Sequence, residues 1–131
     1  MKKIPVFDLD LNYKDKKYLI DSINKNQFTS GKYVDILEKE FSKFVGCKYG
    51  ISTTSGTTAL HLACIVAGIK KNDEVLVSSS TNMASAFAII YCGGIPIPFD
   101  VDSDSWQIDP KKIEKKITKK TKAIIVVHWA G

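Results

Sequence analysis

The run Ser52-Thr53-Thr54-Ser55-Gly56-Thr57-Thr58-Ala59-Leu60-His61-Leu62 constrains the fold of this 131-residue chain more than any other feature. Small hydroxyl residues and one glycine lead straight into an apolar helical stretch. Another apolar segment, Glu74-Val75-Leu76-Val77, begins twelve residues after Leu62. The pattern predicts a strand that hands over to a helix N-terminus, and then a second strand. A helix N-terminus carries unsatisfied N–H groups and about half a positive charge, so it attracts anions. Gly56 lets the backbone approach such an anion, and Ser55, Thr57 and Thr58 offer hydroxyl hydrogen bonds. The physical expectation is a phosphate cradle in an α/β protein. A ligand-free role competes at Ser55, because serine is a favoured helix N-cap that stabilises a helix by about 1 kcal/mol unaided.

Helical and strand periods alternate along the rest of the chain. Residues 13–26 read as a polar helix with Tyr18, Leu19 and Ile23 on its apolar side, and Thr29-Ser30-Gly31 breaks the pattern. Val34, Leu37, Phe41 and Phe44 then form a stripe of helical period, and Gly46 sits where a left-handed terminating residue belongs. Strands are predicted at 49–53, 74–77, 95–99 and 123–127. Helices are predicted at 56–67, closed by Gly68, and at 84–91. Pro110 opens a lysine-rich helix at a position where its missing N–H costs nothing. The expected architecture is a helical segment over residues 1–46 followed by an α/β unit over 47–131, its mostly parallel sheet layered between helices.

The formal charge of +5 raises the possibility of nucleic-acid binding, but its distribution argues against one. Residues 111–122 hold seven lysines and one glutamate, a net of +6, so the other 119 residues sum to −1. The chain has no arginine, the residue best suited to bidentate phosphate or guanine recognition. A solvated lysine face is the expectation, with no nucleic-acid partner. No apolar run reaches the ~18 residues of a membrane span, and no apolar signal core follows Lys2-Lys3, so a soluble cytoplasmic protein is expected. Cys47, Cys64 and Cys92 are an odd number without metal-type spacing and read as free buried thiols. His61 and Cys64 share a helical face but have no third ligand nearby, so packed side chains are expected there and no metal. The dinucleotide fingerprint G-x-G-x-x-G and the P-loop are both absent.

Several of these segments together carry a family resemblance. They are Gly31 with Leu37-Glu38 and Phe41, then Ser55 to Leu62, then Asp73 to Val77 with Thr81, then Asp109-Pro110, and finally Thr121 to His128. In that order, and over essentially the whole chain, they resemble the DegT-type (DegT/DnrJ/StrS) nucleotide-sugar aminotransferases. The resemblance implies the N-terminal part of the large domain of a pyridoxal-phosphate-dependent transferase of fold type I, the aspartate-aminotransferase-like fold. The implied enzyme is a homodimer that moves an amino group from glutamate to a nucleotide-linked keto-sugar, for lipopolysaccharide, other surface polysaccharide or a glycoside.

Residue by residue, the resemblance implies that Ser55, Gly56, Thr57 and Thr58 hold the pyridoxal 5'-phosphate and that Asn82 lies at its ring. Thr29, Gly31 and His128 would serve substrate binding. The Schiff-base lysine and the aspartate facing the pyridine nitrogen lie beyond the family's equivalent of Gly131. The chain is therefore expected to be an N-terminal third, inactive alone. It departs from the family pattern at Asn82, where an aromatic is common, and at Ser78 and Ser80, where proline and an aromatic are frequent. Asn72 replaces a turn glycine, and Trp129 and Ala130 replace an aliphatic and an aromatic residue. The alternatives are a pyridoxal-phosphate-dependent sugar dehydratase of the same family, in which histidine replaces the lysine, and a non-catalytic truncated remnant.

Overall fold

Asn12 starts the first helix. Its side chain accepts the amide hydrogens of Lys14 and Asp15, while the Asp15 carboxylate accepts the Asn12 N–H at 2.9 Å. This reciprocal capping box opens α1 (Tyr13–Asn24). Asn26, with φ +54°, turns the chain out of the helix, and Ser22 Oγ donates to the Gln27 carbonyl at 2.7 Å. Gly31 begins α2 (Lys32–Phe44) with φ +133°, a conformation that requires glycine, and a Cβ there would sit 2.8 Å from Gln27 Cδ and push that side chain aside. The computed structural model describes Pro5 and residues 8–128, which fall into two compact units dividing between Ser52 and Thr53. Gly46, with φ +72°, ends α2 as its position predicts.

The segment at 49–53 departs from expectation: it forms no strand. A strand needs a neighbour to complete its backbone hydrogen bonds. Here Tyr49 and Ile51 are exposed, and the Ser52 amide instead donates to Glu38 Oε1 at 2.7 Å, with Ser52 Oγ adding a second bond at 2.9 Å. These bonds, the amide first, hold the Glu38 carboxyl below the usual glutamate range.

The second unit carries the sheet. Its elements are α3 (Gly56–Val66), β1 (Glu74–Ser78), α4 (Ala84–Tyr91), β2 (Ile95–Phe99), α5 (Pro110–Glu114) and β3 (Thr121–Ile125). Strand order is β2-β1-β3, all parallel, with Leu76 opposite Ile97 on one side and Ile124 on the other. Pro96 and Pro98 explain why β2 lies at an edge. Neither has an N–H to donate, whereas Ile95 N–H donates to Asp73 and Phe99 C=O accepts from Ser79 on the β1 side. Val75 and Val77 face Cys64, Ile69, Ala88 and Ile89 in the core, with Leu60, Ala123 and Ile125 packed against them. Leu76 is fully buried as well, so β1 is apolar on both faces, as the centre of a parallel sheet requires. Asn72 enters β1 with φ +69°, the left-handed conformation that asparagine tolerates.

β3 begins and ends two residues earlier than expected, because its pairing partners on β1 run only from Glu74 to Val77. The lysine-rich helix shortens to five residues, capped by the Asp109 carboxylate on the Lys111 amide. Lys112 does not simply face solvent: its Nζ donates to the Val101 carbonyl at 2.5 Å. All three cysteines are free, but Cys47 is exposed rather than buried, since it follows the turn that ends α2. Among the described residues no helix is long and apolar enough to cross a membrane. Trp129, Ala130 and Gly131 lie outside the described residues.

Candidate functional site

Ser55 has extended backbone (φ −163°, ψ 164°) and caps α3. Its Oγ accepts the Thr58 N–H at 3.2 Å, and Thr58 Oγ1 accepts the Ser55 N–H at 3.0 Å. Threonine thus fills the place that Glu or Gln takes in the usual capping box. The ligand-free role weighed for Ser55 is present, and it binds the hydroxyls of Ser55 and Thr58 to each other and to the backbone. Of the amides that a first turn leaves open, those of Ser55 and Thr58 are thereby met. Those of Gly56 and Thr57 stay available at the positive end of an eleven-residue helix.

Gly56 stands apart from the other glycines. Six of the seven described glycines have either a positive φ or a neighbour within 3 Å of where a Cβ would be. Gly56 has neither: its φ is ordinary, and nothing lies within 4 Å of the added Cβ. Gly56 is the first residue of α3, directly after its cap, and neither backbone conformation nor packing calls for a glycine there. The open space against the Gly56 amide leaves room for a ligand group. A phosphate fits: it is anionic, it accepts from several N–H donors, and it needs backbone without a side chain in the way.

The topology places two more of the expected residues on the same edge of the sheet. α3 returns through Gly68 and Asn72 into β1, so it runs opposite to the strand. Its eleven residues span about 16 Å. The five residues of β1 cover a similar length, roughly 16 Å. The Ser55–Thr58 turn therefore lies at the carboxyl edge of the sheet, where open α/β sheets bind ligands. Asn82 follows the carboxyl end of β1, and His128 follows that of the neighbouring parallel strand β3. Both are exposed. The Asn82 side chain also has local work, its Oδ1 accepting the Ala84 N–H at 3.0 Å at the start of α4. Thr81 Oγ1 and Ser85 Oγ lie 2.9 Å apart beside it. Thr29, exposed, and Gly31, half-buried, belong to the other unit, in the turn between α1 and α2. His61 packs edge-on against Tyr91 at 5.4 Å, and burial pushes the Cys64 thiol up, so both act as packing residues.

One polar hollow on this edge had no clear motif. It occupies about 400 Å3 between Ser79, Ser80, Asp100, Asp102, Trp106 and Lys112. Asp102 folds the loop beneath it by accepting the Ser105 amide and hydroxyl and the Asp104 amide, which lowers its pKa, the Ser105 amide most of all. The sequence signal was an aspartate three residues before a serine, ahead of an exposed tryptophan.

The family model described as the DegT/DnrJ/EryC1/StrS aminotransferase family matches residues 10–131. The GDP-perosamine synthase of Vibrio cholerae is 40% identical over 129 residues, covering 98% of this chain and 35% of that protein. That of Escherichia coli O157:H7 is 41% identical over 132 residues, covering all of this chain and 36% of the relative. Among solved structures, Spr1654 of Streptococcus pneumoniae in its PMP form superposes with a TM-score of 0.92 at 30% identity, over 99% of this chain and 33% of that one. NtdA from Bacillus subtilis with bound cofactor PMP gives 0.82 at 31% identity, over 95% and 30%. The chain spans about a third of the length of the curated relatives it matches. Because the match runs almost from end to end of the sequence and includes both the α3 turn and all three strands, the chain belongs to the DegT/DnrJ/EryC1/StrS aminotransferase family.

Proposed function

We propose that this chain is the N-terminal, phosphate-holding part of a pyridoxal-phosphate-dependent aminotransferase. In that reading the enzyme is a cytoplasmic homodimer that carries an amino group from glutamate to a nucleotide-linked keto-sugar, for lipopolysaccharide or a related glycoside. Residues 1–46 are its N-terminal helical segment and 47–131 the first part of its cofactor-binding domain. The cofactor ring, when bound, supplies the electron sink for amino-group transfer.

The chain's own residues bind and orient. The Gly56 and Thr57 amides would donate to the phosphate, and the positive end of α3 would favour its charge. The Ser55–Thr58 capping box holds those two amides in place, so the turn is already shaped before the phosphate arrives. Asn82, at the same sheet edge, offers an amide rather than an aromatic face to the cofactor. Thr29, Gly31 and His128 are the residues assigned to substrate.

The observation that carries this reading is Gly56, a helix glycine with ordinary backbone and empty space at its Cβ. The test is Gly56→Val in the protein carrying these residues, with pyridoxal phosphate binding followed by absorbance. Binding weakens at least tenfold, about 1.4 kcal/mol. Gly56→Val leaves the unfolding free energy within about 0.5 kcal/mol of the parent, as an open surface site should. Unchanged cofactor affinity in the folded variant removes Gly56 from the site.

A further inference from the structure

The amino edge of the sheet, opposite the α3 turn, is rimmed with lysine. Lys70 and Lys71 lie in the turn before β1, and Lys115, Lys116, Lys119 and Lys120 lie in the segment before β3. Hydrogen bonds tie these segments into one rim. The Glu74 N–H donates to the Lys120 carbonyl at 3.0 Å, and the Asn72 N–H donates to the Gly93 carbonyl at 3.0 Å. Thr118 Oγ1 adds a bond to Glu74 Oε2 at 2.5 Å. The lysine run that precedes β3 is thereby joined by two lysines from a turn distant in sequence.

All six lysines are exposed, and none forms a salt bridge among the described residues. The carboxylates of the rim, Asp73, Glu74 and Glu114, leave it with positive charge in excess. Asp73 and Glu74 are half-buried and take hydrogen bonds from neutral donors, the Lys70 amide and the Thr118 hydroxyl. The loop that leaves the carboxyl end of β2 carries Asp100, Asp102 and Asp104 instead. Like charges gathered along one rim repel one another, and an anionic surface laid against them relieves that repulsion. Ile117 stands among these lysines and is 54% exposed. Lysine is a compact point charge on a flexible stem, and the chain has no arginine to grip one phosphate in two places. Charges of this kind on two turns set no register for a partner's groups. A lipid surface needs none: clusters of about four to eight basic side chains are drawn to anionic headgroups, and an apolar side chain among them enters the interface.

We infer that the amino edge of the sheet docks on an anionic lipid surface, its six lysines over the headgroups and Ile117 inserted between them. Docking there leaves the carboxyl edge, with the α3 turn, facing away from the lipid and open to ligands. The inference does not rest on the function proposed above.

The test sediments the chain with vesicles of equal parts phosphatidylglycerol and phosphatidylcholine, and with vesicles of phosphatidylcholine alone. The chain partitions onto the anionic vesicles about tenfold or more above the neutral ones. Raising salt from about 0.1 M to about 1 M, which cuts the screening length from ~10 Å to ~3 Å, releases it. The triple variant Lys115→Glu, Lys116→Glu, Lys119→Glu lowers the partition coefficient by about tenfold or more. Glutamine at the same three positions lowers it by a smaller factor. The triple variant Lys14→Glu, Lys16→Glu, Lys39→Glu changes the net charge equally from exposed positions in the other unit and stays within about threefold of the parent. Ile117→Ser lowers partitioning by about threefold. Equal losses from the two charge reversals, partitioning that ignores salt or Ile117→Ser, or equal binding to neutral vesicles each overturns the inference. So does displacement of the chain from the vesicles by poly-glutamate or single-stranded DNA at equal charge concentration.

Discussion

The two units reach order by different physics. In the unit from Thr53 onward, Val75, Leu76, Ala88, Ile89 and Phe99 are all but completely shielded from water, and β1 is enclosed by two parallel neighbours. Among the described residues of the unit ending at Ser52, Ser42 alone is buried. There the apolar stripe of α2 stays open, with Phe41 58% and Phe44 86% exposed. What orders this first unit is local and polar: a capping box at Asn12, the Asp21–Tyr33 and Asp21–Lys25 bonds, and Glu38 holding Ser52. An amphipathic helix takes most of its stability from burying its apolar face, so α2 is well specified by sequence yet weakly held within this chain. A helix pattern and a stable helix are separate achievements.

The largest expected effect tests the core. Leu76→Ala loses about 3–5 kcal/mol in denaturant unfolding, the cost of a cavity at a fully buried position. Phe41→Ala, removing a larger side chain from the first unit, stays within about 0.5 kcal/mol. Equal losses at the two positions break the comparison.

Capping sharpens it. Asn12→Ala and Ser55→Ala each remove the side-chain half of a capping box, a change of about 1 kcal/mol. Ser55→Ala lowers the unfolding midpoint of the sheet unit, because α3 is packed on its core. Asn12→Ala speeds amide exchange along α1 and leaves that midpoint in place. A shared midpoint shift in both variants means that the units unfold together.

The smallest effects are in pH dependence. The Tyr33 pKa is raised above its ordinary 10.0 to about 12. Its contribution is therefore complete below pH 10 and is lost as pH rises through 12. Glu38 is displaced the other way, below its ordinary 4.5. Its contribution is present above that value and is lost as pH falls through the lowered pKa. Ultraviolet titration should resolve one late tyrosine that Tyr33→Phe removes. Glu38→Gln flattens the acid limb of the first unit's helicity. A Tyr33→Phe titration that keeps the late component contradicts the Asp21 bond.

Much of the fold was legible because its signals are local. Residues 84–91 and 95–99 have the predicted boundaries, since apolar runs of those lengths bounded by Asn82 and Gly93-Gly94 leave little choice. Gly46, Gly68 and Asn72 declared their left-handed turns by residue type. The α3 cap was legible for the same reason, although the sequence could not show that Thr58 would return the bond to Ser55. The Asp21–Tyr33 bond was not, because the two residues become neighbours only when α1 and α2 pack.

By itself, the order of residues determined the alternating elements, the parallel α/β class and the glycine at the start of α3. Those follow from backbone sterics and side-chain periodicity within one or two turns of chain. Tertiary structure alone decided that residues 49–53 would not be a strand, that β3 would stop at Ile125, and that Gly56 has no structural neighbour to explain it. A strand exists only where another strand meets its hydrogen bonds, and a space is empty only in relation to everything that could have filled it.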